Sequence, residues 1–145
     1  MFSTKHRAPV LSANNGEKLY RYIWGVLNQK KCHIYRINGV EDHLHILTHL
    51  HPSVALAVLV KDIKVSSSLF INEQKLFPAF SGWQVGYGAF TYSHEAKVNR
   101  IKYIKNQKKH LATQTFKEEY LALLKSHAID FDEEHLFWVL FIKSR

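Results

Sequence analysis

The spacing of apolar residues changes several times along the chain, and each change marks an element. Residues 2–6 are β-prone enough for a short opening strand. Pro9 and the cluster Ser12-Ala13-Asn14-Asn15-Gly16 then read as a loop with helix-cap chemistry. From Glu17 to Lys30, Leu19, Tyr20, Ile23, Trp24, Val26 and Leu27 recur at helical spacing and predict an amphipathic helix. His33-Ile34-Tyr35-Arg36-Ile37 reads as a strand, and Asn38-Gly39 is a strong hairpin signal because both residues tolerate positive φ. The partner strand is predicted over Val40 to Leu50. Pro52-Ser53 opens a helix over Val54 to Ile71, with Leu56, Leu59, Val60, Ile63 and Leu69 as its buried stripe. Pro78 and Gly82 precede a predicted strand from Trp83 to Tyr92. Ser93 is placed as the N-cap of a helix running to Leu111, with Glu95 in its first turn. A short helix over Phe116 to Lys125 and an aromatic tail at Phe131, Phe137, Trp138 and Phe141 complete the chain.

The order β-α-β-β-α-β followed by a helix predicts an α+β fold of the ferredoxin-like or RRM-like kind. That fold has an antiparallel four-stranded sheet whose first and third strands are central, here with additional C-terminal helices. The 145 residues are the size of one ordinary domain, so residues 1–145 are expected to form a single unit. No apolar run approaches the ~20 residues that a membrane span needs. Cys32 stands alone, so no internal disulfide is expected. A soluble, cytoplasmic protein follows as the expectation. Lys and Arg outnumber Asp and Glu by 20 to 12, a net charge of +8 that favours a polyanionic partner.

Two segments carry the candidate chemistry. In Glu41-Asp42-His43-Leu44-His45-Ile46-Leu47, alternate side chains of a strand share a face, so His43 and His45 point the same way and could ligate one cation. Leu44 and Ile46 face the opposite, packed side. His49 and His51 repeat the spacing nearer the strand end, where a supporting or structural role is expected. On the predicted helix over 98–110, residues 99, 103, 106, 107 and 110 form a polar stripe of Asn, Tyr, Asn, Gln and His. The Gln107 amide oxygen is a hard ligand suited to Mg²⁺ or Mn²⁺, and Tyr103 lies one turn earlier. A phenol with a pKa of ~10 is a weak nucleophile, but a nearby cation lets it attack a phosphodiester.

His43-Leu44-His45, Gly86-Tyr87-Gly88-Ala89-Phe90 and Tyr103-Ile104-Lys105-Asn106-Gln107 resemble the motifs of the single-tyrosine HUH transposases of bacterial insertion sequences and their REP-associated relatives. The likeness runs from about residue 2 to Trp138 and includes Lys61-Asp62-Ile63-Lys64 and Ser66-Ser67-Ser68. The resemblance implies that His43, His45 and Gln107 hold the metal and that Tyr103 is the nucleophile. It implies cleavage of single-stranded DNA beside hairpins, joined through a 5′-phosphotyrosine, by a homodimer in which one subunit's tyrosine helix can serve the other's histidines. Family members usually have several residues before the strand that here begins at Phe2, implying a shortened first strand. His110 is followed by Leu111 where a second histidine is common. Lys5, Arg7, Lys61, Lys64, Arg100 and Lys102 are candidate phosphate contacts.

Other readings stay open. Gly86 to Tyr92 loosely matches the aromatic strand of an RNA-binding RRM module, although Val85 stands where a basic residue is expected. A phosphoesterase would need a second motif like His51-Pro52-Ser53. A domesticated, non-catalytic hairpin-binding copy would carry the same residues as an active transposase.

Overall fold

The computed structural model describes residues 1–111 and 113–131; the predicted tail aromatics Phe137, Trp138 and Phe141 lie outside the described residues. The elements are β1 (Phe2–Ser3), α1 (Ala13–Gln29), β2 (His33–Gly39), β3 (His43–His49), α2 (Leu56–Gln74), α3 (Lys97–Lys105), α4 (Gln107–Leu111) and α5 (Phe116–Ser126). They form an α+β fold around an antiparallel sheet of order β1-β3-β2.

The fourth strand is a correction to the sequence reading. Over residues 83–92 only Trp83 pairs, as an isolated bridge to Thr4. The segment still follows the free edge of β1: Lys5 N–H donates to the Gly82 carbonyl, Gln84 N–H to Ser3 and Gly88 N–H to Met1. Gly82 (φ 127°) and Gly86 (φ 89°) take positive φ and interrupt regular pairing. The spatial order is therefore that of the split βαβ, with β1 and β3 central and an irregular chain in the fourth place. The RRM reading loses the aromatic strand on which it rests.

The hairpin also differs. Asn38 and Gly39 belong to β2, opposite His45 and Leu44, and the turn falls on Val40-Glu41-Asp42, closed by Val40 N–H to the His43 carbonyl. Gly39 is needed for space rather than for a positive φ. A Cβ there would lie 2.3 Å from Leu44 Cδ2 and 2.9 Å from the His43 carbonyl oxygen. Asn38 instead donates its side-chain N–H to the Ile104 carbonyl at 2.8 Å, tying β2 to the end of α3.

Helix α1 starts four residues before Glu17 because the Asn15 side chain is bonded to the Leu76 carbonyl, a tertiary contact that turns a loop-like sequence into a first turn. Leu19, Ile23 and Leu27 are its buried face, while Trp24 is half exposed. On α2 the buried residues are Leu59, Ile63, Ser67 and Ile71; Leu56 and Leu69, assigned to the stripe from sequence, are exposed. Both helices pack with Leu44, Ile34 and Ile37 in one apolar cluster.

The predicted helix from Ser93 to Leu111 is two helices. Ser93 Oγ accepts from Ala96 N–H in the preceding turn, α3 begins at Lys97, and the chain breaks at Asn106 before α4. Helix α5 carries a full capping box, in which Thr115 Oγ1 accepts from Glu118 N–H and the Glu118 carboxylate accepts from Thr115 N–H.

Two glycine substitutions test this packing. Gly39→Ala forces a methyl into the Leu44 contact and should cost about 1–3 kcal/mol in urea unfolding. Gly25→Ala meets nothing within 4 Å and removes a helix-interior glycine, so it should leave stability unchanged or raise it by about 0.5–1 kcal/mol. Equal effects of the two changes would contradict the close approach at Gly39.

Candidate active site

The pleat of β3 sends Leu44 into the α1–α2 core and turns His43 and His45 to the opposite face. Both imidazoles are buried there, with the His43 ring 4.8 Å from that of Phe116. Gln107, the first residue of α4, is fully buried, and its Nε2 lies 3.1 Å from His43 Nε2. Tyr103 approaches from α3, its ring 6.3 Å from His45 and stacked on His110 at 4.6 Å. The structure thus brings His43, His45, Tyr103 and Gln107 together within one chain.

At the centre stands a residue the sequence reading missed. Glu119 on α5 is 1% exposed. Its Oε2 lies 3.0 Å from His43 Nε2, and its Oε1 lies 3.0 Å from His45 Nε2 and accepts the Tyr103 hydroxyl at 2.7 Å. The signal for it was present: Phe116, Glu119 and Leu123 share the buried stripe of α5, and an acid on such a stripe demands a partner.

Burial disfavours the charge on Glu119, but hydrogen bonds with His43 and Tyr103 and the close approach of the His45 imidazole outweigh it and hold the carboxyl well below its usual range. Burial likewise works against a charged His43, yet Asp42 and Glu119 on its two nitrogens prevail and raise its pKa. At His45 burial dominates and lowers the pKa. Burial and the neighbouring carboxylate push the Tyr103 phenol up, so it rests protonated.

The donor set fits a divalent cation. The ligand atoms of His43, His45 and Glu119 all lie within 4.8 Å of one another. The Gln107 Oε1 is buried without a hydrogen-bond partner, a state that a ligand would relieve. Amide oxygen and nitrogen have the same shape, so turning the group presents oxygen to the cluster instead of nitrogen. His43 Nδ1 is 2.6 Å from Asp42 Oδ1, the carboxylate–imidazole arrangement that orients a metal-binding histidine.

The remaining candidates are scattered. His49 is exposed, and the His51 ring is bonded to Ser53 Oγ at 2.7 Å. Lys64 is drawn inward to the Gln84 and Gly86 carbonyls, and burial lowers its pKa to about 8. It therefore fastens the irregular edge segment, and its amine is spent there. Lys61 and Lys102 are exposed on α2 and α3, while Lys5 and Arg7 lie partly covered beyond β1. Arg100 sits beside the cluster, 4.6 Å over the Tyr103 ring.

This architecture is one that transposases use. A crystal structure of a protein assigned as a transposase from Deinococcus radiodurans R1 matches with a TM-score of 0.57 and 22% identity, over 73% of this chain and 85% of that one. At that identity the likeness is one of fold. The family model described as IS200-like transposase matches residues 1–107, from β1 through Gln107, and the chain belongs to that family. No curated protein matches it.

The protonation of the cluster has a measurable consequence. Because the folded pKa of Glu119 is depressed, its contribution to stability is present above the usual carboxyl value of 4.5 and is lost as pH falls below it. In chelator-treated protein, the gap in melting temperature between wild type and Glu119→Gln should be open at neutral pH, begin to narrow as pH falls below 4.5, and remain partly open at about pH 3, because the folded carboxyl stays ionised there. A gap independent of pH would show that Glu119 is not held as a carboxylate.

Proposed function

We propose that this transposase cleaves and rejoins single-stranded DNA beside hairpins, through a covalent 5′-phosphotyrosine formed on Tyr103 and with Mg²⁺ or Mn²⁺ as cofactor. The observation that carries the reading is that the Tyr103 hydroxyl and the His43 and His45 imidazoles meet on one buried carboxylate. His43, His45 and Glu119, with the Gln107 amide, would hold the cation. When bound, the cation neutralises charge on the phosphoryl and leaving oxygens.

The chain's own groups do the rest. Asp42 fixes the His43 ring, and Glu119 orients the phenolic oxygen through its hydrogen bond. Arg100, over the ring, lies close enough to meet a phosphate that reaches Tyr103. Attack forms the tyrosyl oxygen–phosphorus bond as the phenolic proton passes along its hydrogen bond to Glu119, and the bond to the 3′-oxygen breaks, that oxygen taking up a proton to leave as a 3′-hydroxyl. The phosphotyrosine keeps that energy for rejoining, so no ATP is required. The family resemblance extends the reading to a homodimer acting on hairpins at the ends of a mobile element, and family membership itself implies a DNA substrate.

Tyr103→Phe removes one oxygen and leaves the packing nearly intact. With a single-stranded hairpin substrate and Mn²⁺, wild type should form an adduct that survives denaturing electrophoresis. The variant should form none, while its hairpin affinity stays within a few-fold. An adduct on Tyr87, Tyr92 or Tyr120, or undiminished cleavage by Tyr103→Phe, would refute the assignment. Hairpin binding by wild type with no adduct under any divalent cation would favour the non-catalytic, domesticated reading.

A further inference from the structure

Tyr103 is held in two ways that behave differently as the reaction proceeds. Its hydroxyl donates to Glu119 Oε1 at 2.7 Å, while two other groups hold only its ring. The His110 ring stacks on it, with centres 4.6 Å apart and planes 18° from parallel. The Arg100 guanidinium lies 4.6 Å from the centre of the same ring. Arg100 is itself steadied by Tyr92, to whose hydroxyl it donates at 3.3 Å. His110 comes from α4, after the break at Asn106. Its N–H donates to the Asn106 carbonyl, and Thr113 Oγ1 donates to the His110 carbonyl at 2.9 Å, so the backbone that presents the ring is fastened. The side chain is exposed and lies outside the His43–His45–Glu119 cluster, and the cleavage reading gives it no part.

The two holds part company once the phosphodiester is attacked. The phenolic proton passes to Glu119, the oxygen becomes bonded to phosphorus, and no proton remains there to donate. The contacts to the ring survive, because stacking and cation–π attraction depend on the ring and not on what its oxygen carries. Rejoining then requires the tyrosyl phosphorus to stay in line with an incoming 3′-hydroxyl. The oxygen of that hydroxyl attacks phosphorus and gives its proton to solvent, the tyrosyl oxygen–phosphorus bond breaks, and the phenolate recovers a proton from Glu119. Tyr103 also lines a cleft of about 590 Å³, so an arm released from Glu119 has room to swing away. Misplacing reacting atoms by ~1 Å can cost on the order of a hundredfold in rate.

We propose that His110 is a positioning residue for rejoining: its ring keeps the phosphotyrosine arm in place after the bond to Glu119 is lost. The proposal rests on the cleavage reading. His110 acts through the Tyr103 ring and not on the reacting atoms.

The test separates the two halves of the reaction, with the full chain and Mn²⁺. A hairpin oligonucleotide whose 3′-hydroxyl fragment is short enough to diffuse away traps the chain as the adduct. Adding a labelled strand that ends in a 3′-hydroxyl then starts the return. His110→Ala should form the adduct at a rate within about twofold of wild type, because Glu119 still aims the phenol. Its return rate at saturating strand should fall roughly three- to tenfold, the range for loss of one aromatic pair, with the half-saturating strand concentration unchanged. His110→Phe keeps a flat ring and should restore the return. General damage to α4 would slow both steps together and shift the Mn²⁺ midpoint through Gln107 on the same helix, and neither should occur. Thermal melting confirms that each variant is folded. An unchanged return rate, equal slowing of both steps, or no recovery with His110→Phe overturns the proposal, while a wild-type adduct leaves the cleavage reading standing. A wild type that forms no adduct defeats the cleavage reading itself, and this role with it.

Discussion

A carboxylate buried to 1% exposure is tolerated only where other groups compensate it, and Glu119 sets that requirement for the face of the sheet that carries the site. Two imidazoles and a phenol converge on its two oxygens. The imidazoles come from β3, the phenol from α3 and the acid from α5, so these three elements are fixed relative to one another by one charge. Removing the carboxylate would leave His43 with Asp42 as its remaining carboxylate partner in a buried pocket, and removing the imidazoles would strand the acid. The same atoms that satisfy the cluster are those that would ligate a cation, so a bound metal ion would take over the compensation that shared protons provide here.

The fold supplies this geometry through small, specific contacts. Gly39 lets β2 close onto Leu44, so the β2–β3 register is held and His43 and His45 are aimed at α5. Asn38 fastens the end of α3 where Tyr103 has just been presented, and the break at Asn106 starts a new helix with Gln107 at its buried first position. On the other side, Gly88 packs so closely on Tyr120 that a Cβ would lie 2.6 Å from its ring, bringing the irregular edge segment against α5. Lys64 pins the same segment through the Gln84 and Gly86 carbonyls. The edge segment, once fastened at both places, forms one wall of the cleft beside Tyr103.

Much of this was legible in the order of elements. The period-two and helical patterns placed α1, the β2–β3 hairpin, α2 and α5 close to their observed bounds, and alternation on β3 put His43 and His45 on one face. What escaped had tertiary causes. Asn38-Gly39 has the composition of a turn, but Asn38 is engaged by α3 and Gly39 by Leu44, contacts that no local rule contains. The strand predicted over 83–92 fails because Gly86 takes a positive φ and the backbone bonds only intermittently to β1. Arg100, a candidate phosphate contact from the sequence, packs its guanidinium against the Tyr92 and Tyr103 rings, a placement that no local pattern contains. Glu119 falls beyond residues 1–107, the part matched by the family model, and twelve residues past Gln107; only the apolar stripe around it marked it as unusual.

The central claim is that His43, His45 and Glu119 form one cation site next to Tyr103. Anomalous diffraction from a crystal soaked in Mn²⁺ tests it most directly. The account predicts a single strong peak within about 2.0–2.3 Å of His43 Nε2, His45 Nε2 and a Glu119 oxygen, absent from crystals of Glu119→Gln with both histidines intact or greatly weakened there. A peak at the two imidazoles that is undiminished in Glu119→Gln, or no peak at this cluster in the wild type, would contradict it.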